Sequence, residues 1–187
     1  KQHLVVVSSE ASAAENAGPL GKQHLQATHP SQPDRLKNDP AAKNFISLDF
    51  QNRGYCCAAS QFKDSKAPGG YAKSDNTARK VETDSGKGLY LLAQPEVVTT
   101  YDKVPGMRVV LVNQTKDLLA FKASDSRLAI IQEAQDSNGK WKPIEYLPSS
   151  WCGNSYHRVF LRPGYFWAFS SPRYTGSLKT KLRFSMN

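Results

Sequence analysis

The sequence predicts an all-β fold of antiparallel strands, and three observations predict it. Short β-branched and aromatic runs recur from Gly88 onward, turn residues separate them at close spacing, and no segment keeps the period of an amphipathic helix. The C-terminal stretch Tyr156 to Phe184 is the clearest case. Pro163-Gly164 separates the apolar run His157 to Leu161 from the aromatic run Tyr165 to Phe169, and Pro172 to Gly176 precedes a final alternating segment. There Leu178, Thr180, Leu182 and Phe184 share one face while Lys179, Lys181 and Arg183 share the other, because neighbouring strand residues point to opposite sides.

Working backwards, Leu89 to Leu92 and Val97 to Tyr101 read as strands, and Pro105-Gly106 reads as a turn into the apolar run Met107 to Asn113. Leu118 to Phe121 and Leu128 to Ala134 are further short strands. Asp136-Ser137-Asn138-Gly139 is a hairpin turn leading into Lys140 to Tyr146. Trp151 to Asn154 has the composition of a constrained loop.

Upstream, the composition changes twice. Residues 1–44 hold no aromatic residue and offer little to bury, so they form an extended or disordered arm unless something holds them. Their brief apolar patch, Leu4, Val5, Val6 and Val7, suits addition to a sheet edge. Residues 45–87 open with a strand-like FISLDF and continue as a long polar loop that packs on the domain. Residues 88–187 form the sandwich. The chain begins with Lys1, which fits either a removed leader or a longer product.

Strands at this spacing suit a sandwich of about 100 residues. At Leu161-Arg162-Pro163-Gly164-Tyr165-Phe166-Trp167 the sequence resembles the Leu-x-Pro-Gly-x-x-aromatic corner of fibronectin type III and related immunoglobulin-like domains. The resemblance implies an immunoglobulin-like antiparallel β-sandwich in which Tyr165 or Trp167 locks the corner. The Cys-Trp-Cys frame of antibody domains is missing, and the family hosts many functions, so the likeness bears on fold rather than role.

The 187 residues carry a net charge of +9, most of it after Gly88, which favours acidic partners and polyanions. Lys179, Lys181 and Arg183, extended by Arg158, are the candidate polyanion face. Without interleaved exposed aromatics or a recognition motif there, sequence-specific nucleic-acid binding is not expected. No apolar run is long enough to span a bilayer as a helix, so no transmembrane segment is expected. Either Cys56 or Cys57 paired with Cys152 would form a long-range disulfide, in keeping with a secreted or periplasmic setting.

Catalytic and metal signatures are lacking. Cys152 and His157 lie close in sequence, but nothing in the spacing supplies an activated thiolate, and a strand histidine beside a structural cysteine accounts for them. His3, His24, His29 and His157 have no zinc-ligand spacing, and no Cys-x-x-Cys, His-Glu-x-x-His or phosphate loop is present. No cofactor is expected. Asn113-Gln114-Thr115 matches a glycosylation acceptor. Trp151, Tyr156 and Tyr174 are candidate partner or glycan contacts. The expected role is a non-enzymatic interaction or structural component of an extracytoplasmic protein assembly, the arm docking on a partner. The alternative is a carbohydrate- or polyanion-binding module.

Overall fold

The computed structural model describes residues 4–5, 54–59, 74–82, 86–101, 103–147, 155–174 and 180–186. Expectations for FISLDF, Val6, Val7, Trp151, Cys152, Lys179 and the long loop after residue 59 fall outside these residues.

Eleven strands occur among the described residues, and no α-helix: β1 Leu4–Val5, β2 Arg79–Lys80, β3 Gly88–Tyr101, β4 Val104–Gln114, β5 Leu119–Ser124, β6 Arg127–Leu128, β7 Ile130–Gln135, β8 Trp141–Pro143, β9 Tyr156–Leu161, β10 Tyr165–Pro172 and β11 Leu182–Met186. They form three antiparallel sheets, ordered β1-β11-β7-β8, β2-β10-β4-β3 and β6-β5-β9. The described part of the chain is all-β, as its periodicity implies.

Two sheets meet at a corner that both strand pairs turn together. β4 and β10 pair up to Asn113 opposite Tyr165, and β5 and β9 resume with Leu119 opposite Leu161. Asn113 holds the turn. It is fully buried, and its Nδ2 donates to the carbonyls of Leu161 and Asp117, both at 2.9 Å. Its Oδ1 accepts from Thr115 N at 3.0 Å and Thr115 Oγ1 at 2.7 Å. Every hydrogen-bonding site of that amide is engaged, so the Asn113-Gln114-Thr115 match is a structural corner and not a glycosylation acceptor in the folded chain. On the partner strands, Gly164 adopts φ +72°, the left-handed conformation that glycine adopts without a Cβ penalty, and its N–H donates to the Asn113 carbonyl at 2.7 Å.

A single core draws on all three sheets. Leu111, Trp167 and Phe169 enter it from one sheet, Phe121, Val159 and Leu161 from the second, and Ile130 and Phe184 from the third. Trp167 is fully buried, edge-on to Phe121 with centroids 5.8 Å apart. Its Nε1 donates to the Ala59 carbonyl at 3.0 Å, so the indole satisfies its polar atom while tying the segment 54–59 to β10.

Two local expectations change. Leu89 to Leu92 and Val97 to Tyr101 belong to one strand, β3, whose pairing with β4 shifts between Gln94 and Val98, at the β-bulge or irregularity beside Pro95. Pro105-Gly106 lies inside β4 rather than in a turn, opposite Thr100 and Thr99. A Cβ on Gly106 would come within 2.7 Å of Thr99 Oγ1 and 2.8 Å of the Ser171 carbonyl, so this glycine permits close strand approach. The left-handed residue of that hairpin is Lys103, at φ 70°. The Asp136 to Gly139 turn forms as expected: Asp136 Oδ1 accepts from Asn138 N and Lys140 N at 2.9 Å each, with Gly139 at φ 75°.

Candidate functional site

β4 carries the continuous apolar run Val109 to Val112, whereas a strand with one wet face would alternate. Register explains the run. Val109 and Leu111 point to the core with Ala93, Leu91, Phe169 and Trp167, so Val110 and Val112 point to the opposite side of the sheet. That outer side is organised in cross-strand rows. Tyr90, Val112 and Phe166 form one row, and Leu92, Val110 and Ala168 form the next. Val110 and Val112 are 6 % and 5 % exposed, while Leu92 at the sheet margin is 41 % exposed.

The next row is polar: Gln94, Arg108 and Ser170, with Arg108 Nε donating to Gln94 Oε1. At the β2 margin the Arg79 guanidinium lies 5.0 Å over the Phe166 ring, beside exposed Lys80. This outer side is thus apolar at its centre and polar and cationic at its rim. Of these residues, sequence reasoning singled out none. The uninterrupted Val109 to Val112 run was the available signal.

The sequence-selected residues lie elsewhere and apart. Leu4 and Val5 pair antiparallel with Met186 and Ser185 at the edge of β11, so the start of the arm docks on the chain's own sheet. Tyr156 is half-exposed on β9. Tyr174 turns its hydroxyl inward, donating to Glu145 Oε1 at 2.7 Å. Lys181 is exposed, but Arg183 is engaged, with Nε 2.6 Å from Glu133 Oε2 and its guanidinium 4.4 Å over the Trp141 ring. Cys56 and Cys57 are free thiols. Cys56 is fully buried, and burial pushes both thiols up from their ordinary range.

A buried polar cluster joins residues far apart in sequence. Glu145, 1 % exposed, accepts from Tyr55 Oη at 2.9 Å and Gln132 N at 2.7 Å on Oε2. Its Oε1 accepts from Tyr174 Oη at 2.7 Å and Gln132 Nε2 at 3.2 Å. Gln132 Nε2 also reaches Ser171 Oγ at 2.9 Å and the Pro172 carbonyl at 3.0 Å, while its Oε1 is buried without a hydrogen bond. Burial raises the Glu145 pKa to about 7, against the lowering effect of the hydrogen bonds from Tyr174, Gln132 and Tyr55. Gln132 shares the inward row of β7 with Ile130 and Ala134, so the cluster is built into the core. Its hydrogen bonds cross-link β7 and β10 to Tyr55, Glu145 and Tyr174, which lie outside the strands.

His157 is also mostly buried. Its Nδ1 lies 3.1 Å from the Ser155 carbonyl and its Nε2 lies 3.5 Å from Ser126 Oγ. The bond to Ser155 selects the Nδ1–H tautomer and orients the ring. Among the described residues no group of three or more His, Cys, Asp and Glu is placed to hold a metal ion, and no helix is long and apolar enough to cross a membrane.

No protein family, curated protein or solved structure matches this chain. Its functional assignment therefore rests on these surfaces.

Proposed function

We propose that the chain is a non-enzymatic interaction component of a larger extracytoplasmic protein assembly, engaging its partner through the outer face of the β2-β10-β4-β3 sheet. The observation that carries this is the pair of apolar rows Tyr90-Val112-Phe166 and Leu92-Val110-Ala168, bordered by Arg79, Lys80 and Arg108. A sheet apolar on both sides is a two-sided core element, and its outer side favours a second protein layer. The cationic margin and the +9 chain favour an acidic rim on that partner.

The arm has a narrower part in this proposal than its composition alone gave it. Leu4 and Val5 complete the β11 edge within the chain, which blunts that edge. The immunoglobulin-like resemblance supports the proposal at its corner, where the Pro163-Gly164 turn delivers Trp167 to the core. Strand order departs from that family. β9, the partner of β5, precedes β10, the partner of β4, whereas in immunoglobulin sandwiches the partner of strand C follows that of strand B.

The test is the mass of the particle that carries this chain, isolated gently from its native source before and after high salt. A stoichiometric complex well above 20.7 kDa that survives salt is expected, because apolar contacts are not screened. A lone 20.7 kDa species contradicts the proposal.

A further inference from the structure

The three-stranded sheet presents a second outer face of different chemistry. Phe121, Ala123, Val159 and Leu161 point to the core, so Ala120, Lys122 and Ser124 of β5 and Tyr156, Arg158 and Phe160 of β9 point outward. Register places Lys122 directly opposite Arg158, Ser124 opposite Tyr156 and Ala120 opposite Phe160. Lys122 and Arg158 are both exposed, and neither makes an ion pair among the described residues.

Like charges directly opposite on a sheet repel and lower stability, so this pair is not explained by the fold. Arg183, by contrast, has Glu133 facing it. Along β9 the cation sits between two aromatic rings on the same face, Tyr156 and Phe160, each roughly 7 Å from Arg158 at the strand rise. Tyr156 is 50 % exposed. Ser124, across from Tyr156, has an Oγ that is buried with no hydrogen bond.

We infer that the outer face of β5 and β9 binds an acidic polysaccharide, with Lys122 and Arg158 taking one carboxylate and Tyr156 and Phe160 stacking on the flanking sugar rings. Two long cationic side chains whose Cβ atoms stand about 5 Å apart can converge on a single anionic group. A uronic acid chain offers such a group on a ring whose apolar face an aromatic side chain covers. One cation pair flanked by two rings suits one acidic sugar and its neighbours, whereas nucleic-acid binding draws on several phosphate contacts, more cations than this face supplies. The site is independent of the protein-binding face, because Tyr90, Leu92 and Phe166 lie on the other sheet.

The experiment is affinity electrophoresis of the full chain through gels containing polygalacturonate at ~0.15 M salt, where long-range attraction is largely screened. Dextran serves as the neutral polymer and a poly(dT) oligonucleotide as the competing polyanion. Retardation by polygalacturonate is expected, weakened about tenfold by Tyr156→Ala and at least as much by the Lys122→Ala/Arg158→Ala double variant. Lys181→Ala, an exposed cation just before β11, is expected to change it less than about twofold. All the changes are at surface positions, and a circular dichroism spectrum checks that each variant folds. No retardation, equal loss in Lys181→Ala, or tighter binding to poly(dT) than to polygalacturonate overturns the inference.

Discussion

Gln132 and Glu145 meet twice inside the protein: the Gln132 backbone N–H donates to Glu145 Oε2 at 2.7 Å, and its side-chain Nε2 lies 3.2 Å from Oε1. Tyr55 and Tyr174 complete the shell around the carboxyl group, and among the described residues no lysine or arginine joins them. The polar atoms are largely satisfied and the charge is not.

The pH dependence of stability follows from that imbalance. The folded pKa of about 7 lies above the ordinary 4.5, so between these values the folded state keeps a proton that the unfolded state has released. Stability therefore falls as pH rises through this window. The contribution is full below the unfolded value and lost above the folded one. Its size is on the order of 3 kcal/mol. Urea unfolding from pH 4.5 to 8 checks this against Glu145→Gln, which is expected to be the less stable protein at the acid end and to close or reverse the gap at the alkaline end.

Asn113→Ala tests the corner. Removal takes the amide partner from the buried Leu161 carbonyl and from the Thr115 N–H at once, at a cost of roughly 3 kcal/mol. The expected result is a lower urea midpoint. An unchanged midpoint would mean that the turn holds without its amide.

Trp167→Phe separates packing from hydrogen bonding. It keeps an aromatic ring against Phe121 but removes the Nε1–H that satisfies Ala59 O and leaves a void. A loss of about 2 kcal/mol is expected. Limited proteolysis of the variant is expected to cut first around residues 54–59, where that bond anchored the chain.

The cysteines give a chemical check. Cys56 is fully buried, and burial holds its thiol well above the ordinary range. Peptide mapping after brief iodoacetamide treatment at pH 8 is expected to find Cys56 unmodified in the folded chain and modified in urea. Cys57, half-buried beside Arg127, is expected to react at an intermediate rate.

Periodicity made the β class and the Pro163-Gly164 and Asp136 to Gly139 turns legible, because these depend on local chemistry. Phe184 is buried within the alternating C-terminal segment, as its spacing implied. Pro105-Gly106 misled, since a Pro-Gly pair signals a turn unless close strand packing needs the missing Cβ, and only tertiary structure reveals Ser171 beside it. The Glu145 cluster was hidden because Tyr55, Gln132, Ser171 and Tyr174 reach it from separate elements. Tyr174 was singled out as an aromatic contact, yet its hydroxyl belongs to this cluster. The outer apolar rows were half-legible. The Val109 to Val112 run announces a strand covered on both sides, but register is needed to find Tyr90 and Phe166 beside Val112.

The most direct test of the interaction role is side-chain footprinting by hydroxyl radicals, comparing the isolated chain with the particle from the native source. Tyr90, Leu92 and Phe166 are predicted to be labelled in the isolated chain and protected in the particle, while Leu118, 47 % exposed outside this face, is labelled equally in both. Equal labelling of all four in both samples would contradict the assignment of the β2-β10-β4-β3 outer face as the binding surface.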